Sequence, residues 1–379
     1  MLFRSGQTTR REFLKLSSKG MGAITLGSLF PSILPTRLFG AGQKSQGTAP
    51  ILVLVQLAGG NDGLNTTIPY SNDRYYRLRP TIALPENEIL PLTDTIGLHP
   101  ACRGLEKLYQ SGDLAIVQGV GYPNPNRSHF GSEAIWATAG NSEHTSSTGW
   151  VGRYLDNNPP EFTLRPEPIA VHFSHQTPRC LLGEETSEIY GFEVTGEDGL
   201  PVYHNGIVSS IKSYRASARY PDTRFGANLK KIAAMISARY STRIYHVTLG
   251  GFDTHFLQSI PHHNLLTDLS GGLAAFQEDL HLHGQDSSVL TMTYSEFGRR
   301  AGENERHGTD HGTSAPLFIL GRHVAGGIYG EPPRLPTNRY EDMDYQIDFR
   351  TVYSTVLENW LGAPTDQILD HKSEPLEFI

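Results

Sequence analysis

Five apolar runs, each closed by glycine or polar residues and separated by helix-patterned stretches, constrain this chain more than any other feature. The first, Ile51–Gly60 (ILVLVQLAGG), is continuously apolar. A strand with one wet face alternates, whereas an unbroken apolar run belongs to a strand buried on both faces of a parallel sheet. Leu114–Gly121 (LAIVQGVG), Arg243–Gly251 (RIYHVTLGG), Ser288–Gly298 (SVLTMTYSEFG) and the run APLFILG starting at Ala315 repeat the signature. GLEKLYQSGD, NLKKIAAMISARY, NLLTDLSGGLAAFQEDLHLHG and RTVYSTVLENWLG carry apolar residues at helical spacing. The alternation predicts an α/β fold, a mostly parallel doubly wound sheet with helices on both faces. Residues 155–223 are rich in Pro, Gly and charge and break the rhythm, so they are expected as an insertion or cap on a single domain spanning 43–379. No internal repeat or low-complexity tract stands out.

Ligands of such sheets bind beyond the carboxyl ends of the strands, and the residues near those ends are chemically loaded. GGNDG brings Asp62; NRSHF brings Arg127, Ser128 and His129; FDTH brings Asp253 and His255; SEFGRR brings Ser295, Glu296 and Arg299; GTDHG brings Asp310 and His311. Asp, Glu and His are the donors that hold Zn²⁺, Mn²⁺ or a similar divalent ion. Each residue also has a plain structural use. Asp62 sits in a common turn tripeptide, Ser128 suits a helix cap, and Asp253-Thr254-His255 suits a turn. Asp310-His311 suits a hydrogen-bonded turn on a glycine hinge. Glu296 is harder to dismiss, because carboxylates are seldom buried unpaired after an apolar strand. His129, His262, His263 and His307 read as surface or supporting groups. The case for a metal site rests on convergence at one sheet edge, with Asp62, Asp253, His255, Glu296, Asp310 and His311 as ligand candidates. Ser128 is the candidate nucleophile, since a neighbouring metal makes its alkoxide accessible. Arg127 or Arg299 would clamp an anion.

Charge and cysteine content narrow the partners. Net charge is −7, which argues against nucleic acid or an anionic membrane surface. Two cysteines, Cys102 and Cys180, against 16 histidines mean that a metal here is held by N and O ligands. At the N-terminus, Arg10-Arg11 precede Phe13, Leu14, Lys15 and a moderately apolar run, Met21–Leu34. This resembles a twin-arginine export signal. The run is shorter than the ~20 apolar residues of an integral span. A signal and linker over 1–42, cut between Gly40 and Gln43, would leave about 340 residues in the periplasm or outside the cell. Left uncut, the signal would serve as an anchor.

The ordered set LVQLAGGNDGLNTTIPY, YYRLRPTIAL, GLHPA, NRSHF, TGWVGRYL, LGGFDTH, SEFGRR, GTDHGT and GGIYGEPP resembles the secreted family catalogued as domain of unknown function 1501, from about Ile51 to Leu361. That family is grouped with the alkaline phosphatase, sulfatase and cofactor-independent phosphoglycerate mutase superfamily. The resemblance implies an alkaline-phosphatase-like α/β sandwich, two adjacent metals and a Ser or Thr nucleophile. Carried over, Asp62 is the first-strand ligand, Ser128 the nucleophile, and Asp253, His255 and His311 one metal's set. Glu296 stands where the superfamily has Asp followed by His, and position 297 here is Phe. The expectation is an exported metal-dependent hydrolase of phosphate or sulfate esters, on a small-molecule or glycan substrate, with one or two divalent ions. The alternative is a non-catalytic exported binding or scaffold protein that keeps the fold.

Overall fold

The structure is a computed structural model and describes residues 49–157, 167–185, 189–192 and 205–379. The export-signal reading and its cleavage region lie outside the described residues.

Side-chain alternation along the first strand sets the layering. In β1 (Ile51–Ala58), Ile51, Val53, Val55 and Leu57 pack into one core with Leu105 of α1 (Arg103–Gln110). Leu229 of α4 (Arg224–Ser237) and Leu266 of α5 (Ser259–Leu282) complete that face. Leu52 and Leu54 point the other way, toward Trp136 of α2 (His129–Thr138), Trp150 of α3 (Trp150–Asp156) and Tyr353 of α6 (Phe349–Thr355). Successive strand residues face opposite sides, so an unbroken apolar run needs helices on both, and it has them. The mixed α/β architecture with a mostly parallel central sheet agrees with the sequence reading.

The remaining strands of this central sheet are β2 (Leu114–Gly121), β3 (Ala170–Phe173), β4 (Ile189–Gly191), β5 (Ile244–Gly250), β6 (Val289–Tyr294), β7 (Ala315–Leu320), β8 (Gly327–Tyr329) and β9 (Ile347–Asp348). Their order is β8-β2-β7-β6-β1-β5-β3-β4, with β9 also pairing β2. Within this sheet every pairing is parallel except those of β7, which is antiparallel to both β2 and β6. That reversal has a consequence for the site. Ala315, the first residue of β7, pairs with Val120 near the end of β2. The segment before β7 therefore opens at the same edge as the segments after its neighbours.

Residues 155–223 are not only an insertion or cap. Within them Ala170–Phe173 pairs with β5 and Ile189–Gly191 pairs with it in turn, extending the sheet. These strands have only four and three residues, too few for a periodicity signal among prolines and charges. Cys102 and Cys180 are free thiols buried in cores on opposite faces of the sheet. Burial raises both pKa values, Cys180 to about 12. Among the described residues, no helix is long and apolar enough to cross a membrane.

His246 of β5 is fully buried, and burial, with His172 adding, pushes its pKa down to about 3. Burial likewise takes His99 to about 3 and His262 to about 4. The unfolded chain then binds protons that the folded chain refuses, so stability is full above the unfolded histidine pKa of about 6.5 and falls as pH drops toward the folded values. Urea unfolding at about pH 7 and about pH 5 should differ by about 2 kcal/mol per such histidine. His246→Gln should flatten the slope by about one proton. A pH-independent urea midpoint over that interval would contradict this.

Candidate metal centre

Two loops interlock to build the site. After β5, Thr254 O accepts from Thr309 N at 3.2 Å, while Leu257 N and Gln258 N donate to Arg306 O at 3.0 Å and His307 O at 2.8 Å. The same 298–312 loop closes on itself, with Arg300 N bonded to Asp310 O and Gly312 N to Gly298 O. Backbones this close leave no room for side chains. A Cβ on Gly308 would stand 2.3 Å from the His255 carbonyl carbon, and one on Gly312 would stand 2.4 Å from that of Arg299. The glycines of GTDHG serve close approach, which puts His311 beside His255.

The chemistry converges on Oδ1 of Asp253. Nε2 of His255 and Nε2 of His311 each lie 3.0 Å from it, and Nε2 of His129 lies 3.5 Å away. Nε2 of His255 and Nε2 of His311 are 2.9 Å apart. Every one of these imidazoles is anchored through its other nitrogen. Nδ1 of His129 meets Glu296 Oε1 at 2.9 Å, Nδ1 of His255 meets Asp310 Oδ1 at 3.3 Å, and Nδ1 of His311 meets Arg127 O at 2.7 Å. Those acceptors take a proton from Nδ1, which assigns the lone pair to Nε2 in all three rings. Lone pairs gathered about one carboxylate oxygen, with Nδ1 tied to carboxylates or a carbonyl, are a donor set that could hold one metal ion, with its outer support. His129, Asp253 and His311 place one ligand atom each within 4.8 Å of one another.

Protonation states suit this use. Burial opposes ionisation of Asp253, but the hydrogen bond and positive charge of the Arg299 guanidinium lead the effects that bring it down to about 2. His311 is pushed below its ordinary range by burial, against the pull of Asp253 and Arg127 O. A neutral imidazole beside an ionised carboxylate is what a divalent ion takes. The residues fit a single N/O-ligated ion, and Asp310, anchored to His255 and to Asn304 at 3.0 Å, supports it.

Other expected site residues are placed elsewhere. Asp62 is fully buried and gripped bidentately by Arg79 at 2.6 and 2.9 Å, with Gln258 donating as well. Its oxygens are committed to a buried ion pair and do not join the cluster. Arg299 is also fully buried. Its guanidinium donates to the carbonyls of Gly59, Gly60, Phe252 and Thr309 and to Asp253 at 2.6 Å, so it cannot clamp a ligand in solution. Arg127 is paired with Asp342 at 3.0 Å. Ser295 bonds Asn61 N and Leu57 O. Glu296 holds His129 and accepts from Gly59 N at 2.8 Å through Oε1, leaving Oε2 buried without a partner. Ser128 caps α2 without a side-chain capping bond and is exposed, immediately before His129.

His129 is the residue that sequence reasoning undervalued. Its position one residue past Ser128, at the start of the helix after β2, was the available signal. Phe297 occupies a place where a histidine was expected and has its own use. Its ring, 1% exposed, packs against His129 at 5.0 Å and His311 at 4.5 Å between centroids. Gly59 sits at φ +117°, and a Cβ there would lie 2.3 Å from Asp253 N. Gly59→Ala should therefore displace the Asp253 backbone and break the Gly59–Glu296 bond. The expected result is a roughly tenfold loss of metal affinity in competition with a chromogenic chelator; wild-type affinity would exclude a role for this contact.

A cavity of about 640 Å³ adjoins the cluster, lined by Gln56, His129, Phe130, Glu133, Arg179 and Glu296 among others. Glu133 lies one helical turn after His129, on the same face of α2.

Residues 209–375 match the family model described as Protein of unknown function (DUF1501). The matched span contains Asp253, His255, Glu296, Arg299, Asp310 and His311, so the family resemblance read from the motifs holds there. No curated protein matches the chain. Among solved structures, the chain is similar to the lipoteichoic acid synthase LtaP from Listeria monocytogenes, at 9% identity and TM-score 0.43, covering 84% of this chain and 74% of that one. It is similar to the C-terminal periplasmic domain of EcEptC from Escherichia coli in complex with Zn, at 9% identity and TM-score 0.40, covering 74% of each chain. It is also similar to the PsFucS1 sulfatase from Pseudoalteromonas sp., at 11% identity and TM-score 0.41, covering 87% and 72%.

Proposed function

We propose that the protein is an exported, metal-dependent hydrolase of phosphate or sulfate esters. One observation carries the reading: Nε2 atoms of His129, His255 and His311 gathered around Oδ1 of Asp253, each ring held from behind. These four side chains would hold a Zn²⁺ or Mn²⁺ ion. When bound, the ion would supply positive charge to the transferred group and its leaving oxygen. Ser128, exposed and adjacent to His129, is the nucleophile. Its Oγ gives up its proton to water and forms a bond to phosphorus or sulfur, while the ester oxygen departs with the bonding pair and takes up a proton from water. Water then cleaves the seryl ester, restoring the hydroxyl and releasing the inorganic anion. Arg179, exposed on the same cavity and free of ion pairs among the described residues, replaces Arg127 and Arg299 as the cation for the remaining oxygens.

The test is metal content of the full chain purified without chelator, with hydrolysis of an aryl phosphate and an aryl sulfate. One metal per chain and activity lost in Ser128→Ala with the metal retained is the expected outcome. An unchanged rate in that variant removes the nucleophile. A second reading, a non-catalytic exported binding protein, is favoured by Arg299, whose buried guanidinium already balances Asp253. Absence of stoichiometric metal would select it.

A further inference from the structure

Glu296 leaves one question that the metal cluster does not answer. Its side chain is 5% exposed, Oε1 is fully engaged by His129 and Gly59, and Oε2 is buried with no hydrogen-bond partner. A buried, unpaired carboxylate oxygen carries a desolvation cost that a donor from a ligand would remove. Glu296 lines the 640 Å³ cavity, and so does a second carboxylate, Glu133. The two sense each other: burial raises the Glu133 pKa, the Arg179 charge opposes the rise, and the Glu296 charge adds to it. Phe130 lines the same cavity with 89% of its surface exposed, and an aromatic face attracts cations. Among the described residues, Arg179 is the one Lys or Arg on the lining, with His129 and His175 the imidazoles. The volume is that of a small-molecule site.

We propose that this cavity recognises a protonated amine on the organic part of the ester, held between the Glu133 and Glu296 carboxylates beside the metal centre. The inference rests on the ester reading of the same site and names its substrate class: esters of amino sugars or amino alcohols, anionic at one end and cationic at the other. The anionic end meets the metal cluster and Arg179. The ammonium donates to the unengaged Oε2 of Glu296 and to Glu133.

The experiment is calorimetric titration of the metal-loaded full chain with glucosamine 6-phosphate and glucose 6-phosphate, which differ only by an ammonium in place of a hydroxyl. Methyl glucosaminide, an amine without the ester, is the third probe. The amino ester should bind at least about tenfold more tightly than the hydroxyl ester, and E133Q should cut that preference to within about twofold. Equal binding of the two esters, or a preference that survives in E133Q, overturns the proposal and leaves the ester reading standing. Binding of methyl glucosaminide alone, lost in E133Q, upholds the amine site and overturns the ester reading. Binding of none of the three overturns both. A second metal equivalent that disappears in E133Q also overturns the proposal, since the carboxylates would then serve a metal.

Discussion

His311→Ala is expected to lower metal affinity by at least about a hundredfold, and to abolish ester hydrolysis with it. Metal affinities of closed four-ligand sites correspond to ~10–16 kcal/mol, so one ligand of four is worth roughly 3 kcal/mol, or about two decades. Oδ1 of Asp253 would keep His255 at 3.0 Å and Arg299 at 2.6 Å. The ligand set would shrink without the loop collapsing, because the 298–312 ladder is made of backbone bonds. The supporting carboxylates form a graded control. Asp310→Asn loosens His255 without removing a ligand, and the expected loss is ten- to hundredfold. Equilibrium dialysis against buffered zinc reads both. If His311→Ala binds metal as tightly as the wild type, the cluster is a hydrogen-bonded turn and the enzyme reading goes with it.

The second large effect is on stability, and it separates Asp62 from the metal. Asp62→Ala leaves the Arg79 guanidinium in a site with no exposure and, among the described residues, no other ion-pair partner. Breaking a buried pair by deleting one partner costs about 3–5 kcal/mol. For a chain of this size that corresponds to a fall in Tm of roughly 4–7 °C. Arg79 keeps its bonds to Asn65 and to the carbonyls of Ala301 and Arg300, which places the loss toward the lower end. Metal content measured well below the new Tm should match the wild type. Loss of metal in the folded variant would restore Asp62 to the ligand set.

How much of this was legible beforehand follows from particular residues. Ile51, Leu114 and Val289 open strands where unbroken apolar runs announced them, because a two-faced burial requirement is written locally, residue by residue. Asp253, His255 and His311 were recognisable as chemistry-bearing groups near strand ends. The short strands at Ala170 and Ile189 were not recognisable, since four or three residues cannot establish a period.

The amino-acid sequence by itself determined the layered α/β architecture and the N/O character of the candidate ligands, since both depend on residue type and local spacing. Only the tertiary structure decided which donors meet. The reversal of β7 brings His311 to the edge where β2 and β6 end, the loop zipper sets it beside His255, and Arg79 withdraws Asp62 into a buried pair. Strand direction and the choice of ion-pair partner arise from contacts between segments far apart in the chain, and no local pattern of residues encodes them.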